Sequence, residues 1–171
     1  MKKLFLLDAY ALIYRAYYAL MRMPRVNSKG LNTSAIFGFL NTLEDVLKHE
    51  QPTHIAVVFD PSGPTFRHEI FDAYKAQREE TPEDIRKAIP YIKKLIEAYQ
   101  IPVVQVDGFE ADDVIGTLAK QAEKLDFEVF MMTPDKDYGQ LVSEHVFIYK
   151  PRHGNAGFDV LGVDEVLRKW N

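Results

Sequence analysis

Short apolar runs that end in aspartate alternate along this chain with longer stretches whose apolar residues recur every three or four positions. The run KLFLLDAY (3–10) reads as a buried strand ending in Asp8, and ALIYRAYYALMR (11–22) as the helix after it. Residues 23–32 carry Pro24, Asn27 and Gly30 and read as a loop. Thr33 or Ser34 then caps a helix whose apolar face is Ile36, Phe39, Leu40, Leu43, Val46 and Leu47. THIAVVFD (53–60) is a second strand ending in Asp60, followed by the turn-rich PSGPTF. Residues 66–80 are polar, mixed in charge and helical in tendency. Thr81 as a cap and Pro82 at the first helical position open a helix carrying Ile85, Ile89, Ile92, Leu95 and Ile96, with a kink or break expected at Pro90. IPVVQVDG (101–108) is a third strand, and the helix behind it turns Val114, Ile115, Leu118, Ala122 and Leu125 inward. FEVFMMTPDKD (127–137) is a fourth strand with Asp135 and Asp137 just past its end. HVFIYKP (145–151) is a fifth, and GVDEVLRKW (162–170) a last short helix.

Strands alternating with helices imply an α/β fold: a mostly parallel central sheet flanked by helices on both faces. In such sheets ligands bind at the carboxyl ends of the strands. Asp8, Asp60, the group Glu110, Asp112 and Asp113, and the pair Asp135 and Asp137 all follow predicted strands directly, so four segments bring seven carboxylates to one edge. Taken singly, each has an ordinary explanation. Acids favour helix N-termini through the dipole and the unsatisfied N–H groups, and aspartates are common in turns. Taken together they would repel one another strongly unless cations were present. Hard divalent cations such as Mg²⁺ or Mn²⁺ take oxygen ligands. Two such ions roughly 4 Å apart form the usual clamp for in-line attack on a phosphodiester. Glu110 and Asp113 share a helix face at i,i+3, with Asp112 pointing elsewhere on the same turn.

Composition narrows this without redirecting it. The 171 residues, 47% hydrophobic and 27% charged, suit one domain with a real core. With no cysteine, disulfides and thiolate metal sites are excluded, and the five histidines show no HExxH spacing. No apolar run approaches the ~18 residues of a membrane span. Asp8 and Arg15 interrupt the apolar N-terminal stretch, so it reads as strand and helix of a cytoplasmic protein rather than as a signal peptide. A net charge of −4 argues against a general nucleic-acid coat, though not against an enzyme that holds cations in an acidic pocket. Placed groups for phosphate are Arg15, two turns after Asp8, the hydroxyls of Thr33 and Ser34 at a helix N-terminus, and Arg67, Lys75 and Arg78, with Tyr74 available to stack on a base. The acids Glu69, Asp72, Glu79 and Glu80 equally allow a mixed-charge exposed helix there.

The motifs LLDAYALIYRAYYA, GLNTSAIFGF, VVFDPSGPTFRH, YKAQR, TPEDI, GFEADDVIGTLA and TPDKDYGQLV occur in this order along almost the whole chain. In this the chain resembles the 5′-nuclease (flap endonuclease-like) domain at the N-terminus of bacterial DNA polymerase I. The resemblance implies a PIN-like (Rossmann-like) α/β domain over 1–171 with a helical arch at about 62–90. It makes Asp8, Asp60, Glu110 and Asp112 first-metal ligands with Asp113 close by, and Asp135 and Asp137 second-metal ligands. It assigns Lys75 and Arg78 to the arch's basic residues near the scissile phosphate, Tyr74 to an aromatic beside them, and Arg15 and Arg67 to DNA phosphates. The family continues into a helix–three-turn–helix region and, in the parent chain, covalently linked polymerase domains. Their absence from this sequence carries the expectation of an incomplete second metal site and weak or absent activity.

The implied activity is a divalent-metal-dependent, structure-specific 5′-3′ exonuclease or flap endonuclease acting in replication, on RNA primers, and in repair. Its partners would be DNA with a 5′ flap or 5′ end and RNA primer–DNA hybrids, with no membrane. Competing readings are a free-standing PIN-type ribonuclease, a phosphotransferase with a nucleophilic Asp8, and a fragment that binds metal and DNA without turnover. The phosphotransferase wants a second acid two residues after Asp8, where this chain has Tyr10.

Overall fold

The structure is a computed structural model that describes residues 2–77, 79–152 and 157–170. Six strands form one sheet in the order β3-β2-β1-β4-β5-β6. They are β1 (Lys2–Asp8), β2 (His54–Val58), β3 (Val103–Val104), β4 (Phe127–Met132), β5 (Val146–Pro151) and β6 (Phe158–Leu161). The first five run parallel and β6 runs antiparallel to β5. The helices are α1 (Ala9–Ala19), α2 (Ser34–His49), α3 (Phe66–Ile70), α4 (Glu83–Ala98), α5 (Ala111–Glu123) and α6 (Val163–Trp170), with a 3₁₀ helix at Lys136–Leu141.

Strand alternation divides the core in two. Phe5 and Leu7 of β1 face one layer with Leu12, Ile13, Phe39, Leu43, Ile85 and Ile92, so α1, α2 and α4 cover that side. Leu6 faces the other with Ile115, Ala119 and Tyr138, and Val166 and Trp170 pack against it, so α5, the 3₁₀ helix and α6 cover the opposite side. Phe5, Leu6 and Leu7 are all fully buried. Each stabilises the fold by about 1.5–3 kcal/mol of apolar burial, which explains why β1 is an unbroken apolar run.

β1 lies at the centre, and its next partners in sequence, β2 and β3, build outward on one side while β4 and β5 build on the other. The order reverses between β1 and β4, the kind of place where the crevice of an open α/β sheet forms. Asp8 is the last residue of β1 and sits there.

Several local expectations change. Pro82, not Thr81, occupies the N-cap position of α4, and neither side chain caps it; the Thr81 hydroxyl instead accepts a hydrogen bond from Tyr14 at 2.9 Å. α4 runs unbroken through Pro90, which lies on the exposed side of the helix. Thr33 holds the N-cap position of α2 without a side-chain cap. Leu125 does not face the core; α5 ends at Glu123, and Leu125 is 63% exposed in the turn beyond it. The third strand pairs over only two residues, because β3 is an edge strand whose one neighbour, β2, ends at Val58. β6 was not expected from the sequence pattern. Among the described residues between β2 and α4, only Phe66–Ile70 is helical, and Ile85 and Ala88 of α4 are in the core. Among the described residues, no helix is long and apolar enough to cross a membrane.

Candidate metal centre

Asp8 is positioned by the strand that carries it and by both layers. As N-cap of α1, its Oδ1 accepts from the Ala11 N–H at 3.2 Å. Its Oδ2 accepts from the Tyr138 hydroxyl at 2.9 Å and the Thr133 hydroxyl at 3.3 Å. Its carboxyl is raised to about 6, chiefly by burial and further by the charge of Asp60, against the pull of these three hydrogen bonds. Asp60 lies two residues beyond β2, and its Oδ1 accepts from the Ala111 N–H at 2.8 Å, joining that strand end to the first turn of α5.

Glu110 is the N-cap residue of α5, reached through Gly108, whose φ of 83° is a left-handed conformation that glycine adopts without strain. The Asp113 carboxylate accepts from the Glu110 N–H at 3.1 Å, so the capping explanation of these acids holds for Asp113. Asp112 is pushed above the usual carboxylate range, first by partial burial and then by the charges of Asp113 and Glu110. Beyond β4, Asp135 starts the 3₁₀ helix and accepts from the Asp137 N–H at 2.9 Å.

Asp8, Asp60, Glu110, Asp112 and Asp135 line one cavity of about 530 Å³. Asp113 and Asp137 line a neighbouring cavity of about 600 Å³ instead, and Asp112 and Tyr138 border both. One oxygen each from Glu110, Asp112 and Asp113 can be gathered within 4.8 Å, close enough to share an ion.

The segment after β2 closes over this edge. Arg67 donates bidentately to Asp113 at 2.6 and 2.7 Å and to Glu110 at 3.2 Å. The Tyr74 hydroxyl donates to Glu110 Oε2 at 3.1 Å, and Lys75 Nζ donates to Oε1 at 2.5 Å. Arg67 holds the Asp113 carboxyl below its usual range, and Asp113 in turn raises the guanidinium. Lys75 makes its contact from a left-handed backbone, φ 57°.

The other expected contacts lie elsewhere. Arg15 does not line the acidic cavity; it donates to the Arg152 carbonyl at 2.5 Å, and its Nε is buried with no partner among the described residues. The Ser34 hydroxyl accepts from the Arg25 N–H at 2.8 Å and the Thr33 hydroxyl donates to the Arg25 carbonyl at 2.9 Å, so both hydroxyls tie down the preceding loop. Arg78 lies outside the described residues. Sequence reasoning missed Tyr10, Tyr14 and Tyr18, which line the cavity from α1, and Tyr138 and Thr133. The i,i+4 spacing of the three α1 tyrosines was a readable signal; the reach of Tyr138 across the sheet to Asp8 was not.

The donor set fits a hard divalent cation. Its ligating atoms are carboxylate oxygens, and among the described residues Asp8, Asp60, Asp112 and Asp135 form no ion pair with any lysine or arginine.

Residues 3–171 match the family described as the 5′-3′ exonuclease, N-terminal resolvase-like domain. The chain belongs to this family. DNA polymerase I of Bacillus caldotenax is 40% identical over 169 residues, which are 99% of this chain and 19% of that protein. A 5′-3′ exonuclease of Aquifex aeolicus is 39% identical over 170 residues, 99% of this chain and 57% of that one. This 5′-3′ exonuclease N-terminal domain thus spans about a fifth of the polymerase and just over half of the exonuclease. The bacteriophage T5 flap endonuclease, solved in a pseudo-enzyme–product complex with DNA and metal ions, shares its fold with a TM-score of 0.61. That alignment is at 20% identity and covers 87% of this chain and 55% of the other.

Proposed function

We propose that this domain hydrolyses phosphodiesters as a divalent-metal-dependent 5′-3′ exonuclease or flap endonuclease of a cytoplasmic DNA polymerase I, in primer removal and repair. The observation that carries this reading is the convergence of Asp8, Asp60, Glu110, Asp112 and Asp135, from four separate strand ends, on one cavity. Asp8, Asp60, Glu110 and Asp112 would hold Mg²⁺ or Mn²⁺, with Asp113 beside them and Asp135 and Asp137 extending the donor set to a second ion. When bound, such ions activate a water for attack and stabilise charge developing on the phosphate oxygens.

The chain's own residues supply the remaining roles. Lys75, in the cavity wall, offers an ammonium to a phosphate oxygen, and Arg78 a guanidinium. Tyr74 offers a face for a base, and Arg67, Arg15, Thr33 and Ser34 bind the DNA backbone in the same reading. For Arg67, Thr33 and Ser34 this requires exchange of the internal hydrogen bonds they make without DNA. Segment 62–90 is read as the arch, in which Arg67, Tyr74 and Lys75 reach the acids. The substrates are DNA with a 5′ flap or 5′ end and primer hybrids.

The test offers a labelled 5′-flap duplex, a linear single-stranded RNA and a phosphomonoester, each with Mg²⁺ or Mn²⁺. The expected result is flap cleavage that disappears in Asp112→Asn. Cleavage of the RNA alone would instead identify a ribonuclease, and binding of the flap without cleavage would refute turnover by this chain.

A further inference from the structure

Tyr138 is a buried polar side chain that the cleavage chemistry above does not use. It is 2% exposed and lies on the 3₁₀ helix that follows β4, in the wall between the acidic cavity and its neighbour. Its hydroxyl donates to Asp8 Oδ2, the oxygen that also takes the Thr133 hydroxyl. Among the described residues, the opposite oxygen, Oδ1, takes the Ala11 N–H alone. The carboxylate is therefore gripped asymmetrically. With two hydroxyl donors Oδ2 is close to saturated, whereas Oδ1 keeps acceptor capacity.

Tyr138 is itself fixed from outside the site. The next residue is Gly139, and a Cβ there would stand 3.2 Å from Val166 Cγ1 and 3.5 Å from the Trp170 ring. The 3₁₀ helix is thus packed directly on α6.

We propose that Tyr138 is a positioning residue for the metal centre, fixing the Asp8 carboxylate so that Oδ1 is presented to the cation. The proposal rests on the metal-binding reading of Asp8. Groups that orient metal ligands from behind typically change metal affinity by about 10–100-fold when removed. Tyr138→Phe keeps the ring and its packing and deletes only the donor.

The experiment measures Mn²⁺ affinity by calorimetry in the 171-residue chain, in Tyr138→Phe, in Asp8→Asn and in the double variant, with metal-free thermal midpoints alongside. Tyr138→Phe is expected to bind Mn²⁺ about tenfold more weakly. In the Asp8→Asn background the same substitution is expected to have no further effect. Unchanged affinity in Tyr138→Phe overturns the proposal, and so does an equal loss in both backgrounds, since the tyrosine would then act through something other than Asp8. If Asp8→Asn itself binds Mn²⁺ as tightly as the parent chain, the metal-binding reading of Asp8 falls instead, which separates the two failures. A loss of affinity that returns in Tyr138→Phe at a temperature well below its midpoint marks simple unfolding and also counts against positioning.

Discussion

At the scale of single residues, Asp8 joins fold and chemistry most tightly. Burial raises its carboxyl to about 6 from an ordinary 3.8, so the folded chain holds a proton there that the unfolded chain has released. Stability from this group is therefore greatest at low pH and is lost as pH rises through about 6. Relative to Asp8→Asn, the metal-free parent chain should gain stability as pH falls from 7 to 4, measured by urea denaturation at each pH. A constant difference would show that Asp8 is not perturbed. Cation binding has the opposite sign, because the ion must displace the proton: Mn²⁺ affinity should fall as pH drops below about 6. The acids themselves were legible in the sequence because each terminates an apolar run, and sheet topology then fixes their common edge. Their partners were not. The Tyr138 contact joins residues 130 positions apart, and the Arg67 fork to Asp113 joins residues 46 apart. Pairings at such separation depend on packing that no local pattern encodes. Asp113 is the instructive case: its spacing from Glu110 places the two on one helix face, and its carboxylate also accepts from the Glu110 N–H and receives Arg67, a partner that the spacing alone does not reveal.

At the scale of elements, the strands and helices with fully apolar faces were predictable, and those defined by their neighbours were not. β1, β2, β4 and β5 are buried runs, and α2, α4 and α5 follow a 3.6-residue apolar period. β3 shrinks because it has one neighbour, and β6 exists because β5 offers it an edge. The close approach of α1 and α2 is likewise a pair property. A Cβ on Gly38 would stand 2.7 Å from Ala16 Cβ, closer than packed atoms tolerate. Gly38→Ala should therefore force the two helices apart and lower stability by about 1–3 kcal/mol. Denaturant midpoints test this, with Gly63→Ala as control, since a Cβ there meets nothing within 4 Å. Equal midpoints for the two variants would mean that α1 and α2 slide at no cost.

At the scale of the whole molecule, the acidic edge and the segment after β2 form a balance between internal and external cations. Glu110 is 7% exposed, and both its oxygens are engaged, Oε1 by Lys75 and Oε2 by Arg67 and Tyr74. A divalent cation that takes Glu110 must compete with these donors. Two consequences of opposite sign follow. Globally, binding to the folded state alone stabilises it by mass action, about 2.7 kcal/mol at a hundred times the dissociation constant. For a chain of this size that corresponds to a rise of about 5–10 °C in thermal midpoint. Locally, the cation weakens the hold on residues 71–77, whose Lys75 gives up a contact made from a left-handed backbone. Saturating Mn²⁺ should thus raise the thermal midpoint while making residues 71–77 more sensitive to limited proteolysis. Lys75→Met, lacking one competing charge, should bind Mn²⁺ more tightly than the parent chain and show a smaller metal-dependent change in cleavage. If Mn²⁺ protects residues 71–77 along with the rest of the chain, the cation and Lys75 do not compete for Glu110. The segment would then be held over the acids by contacts that survive metal binding.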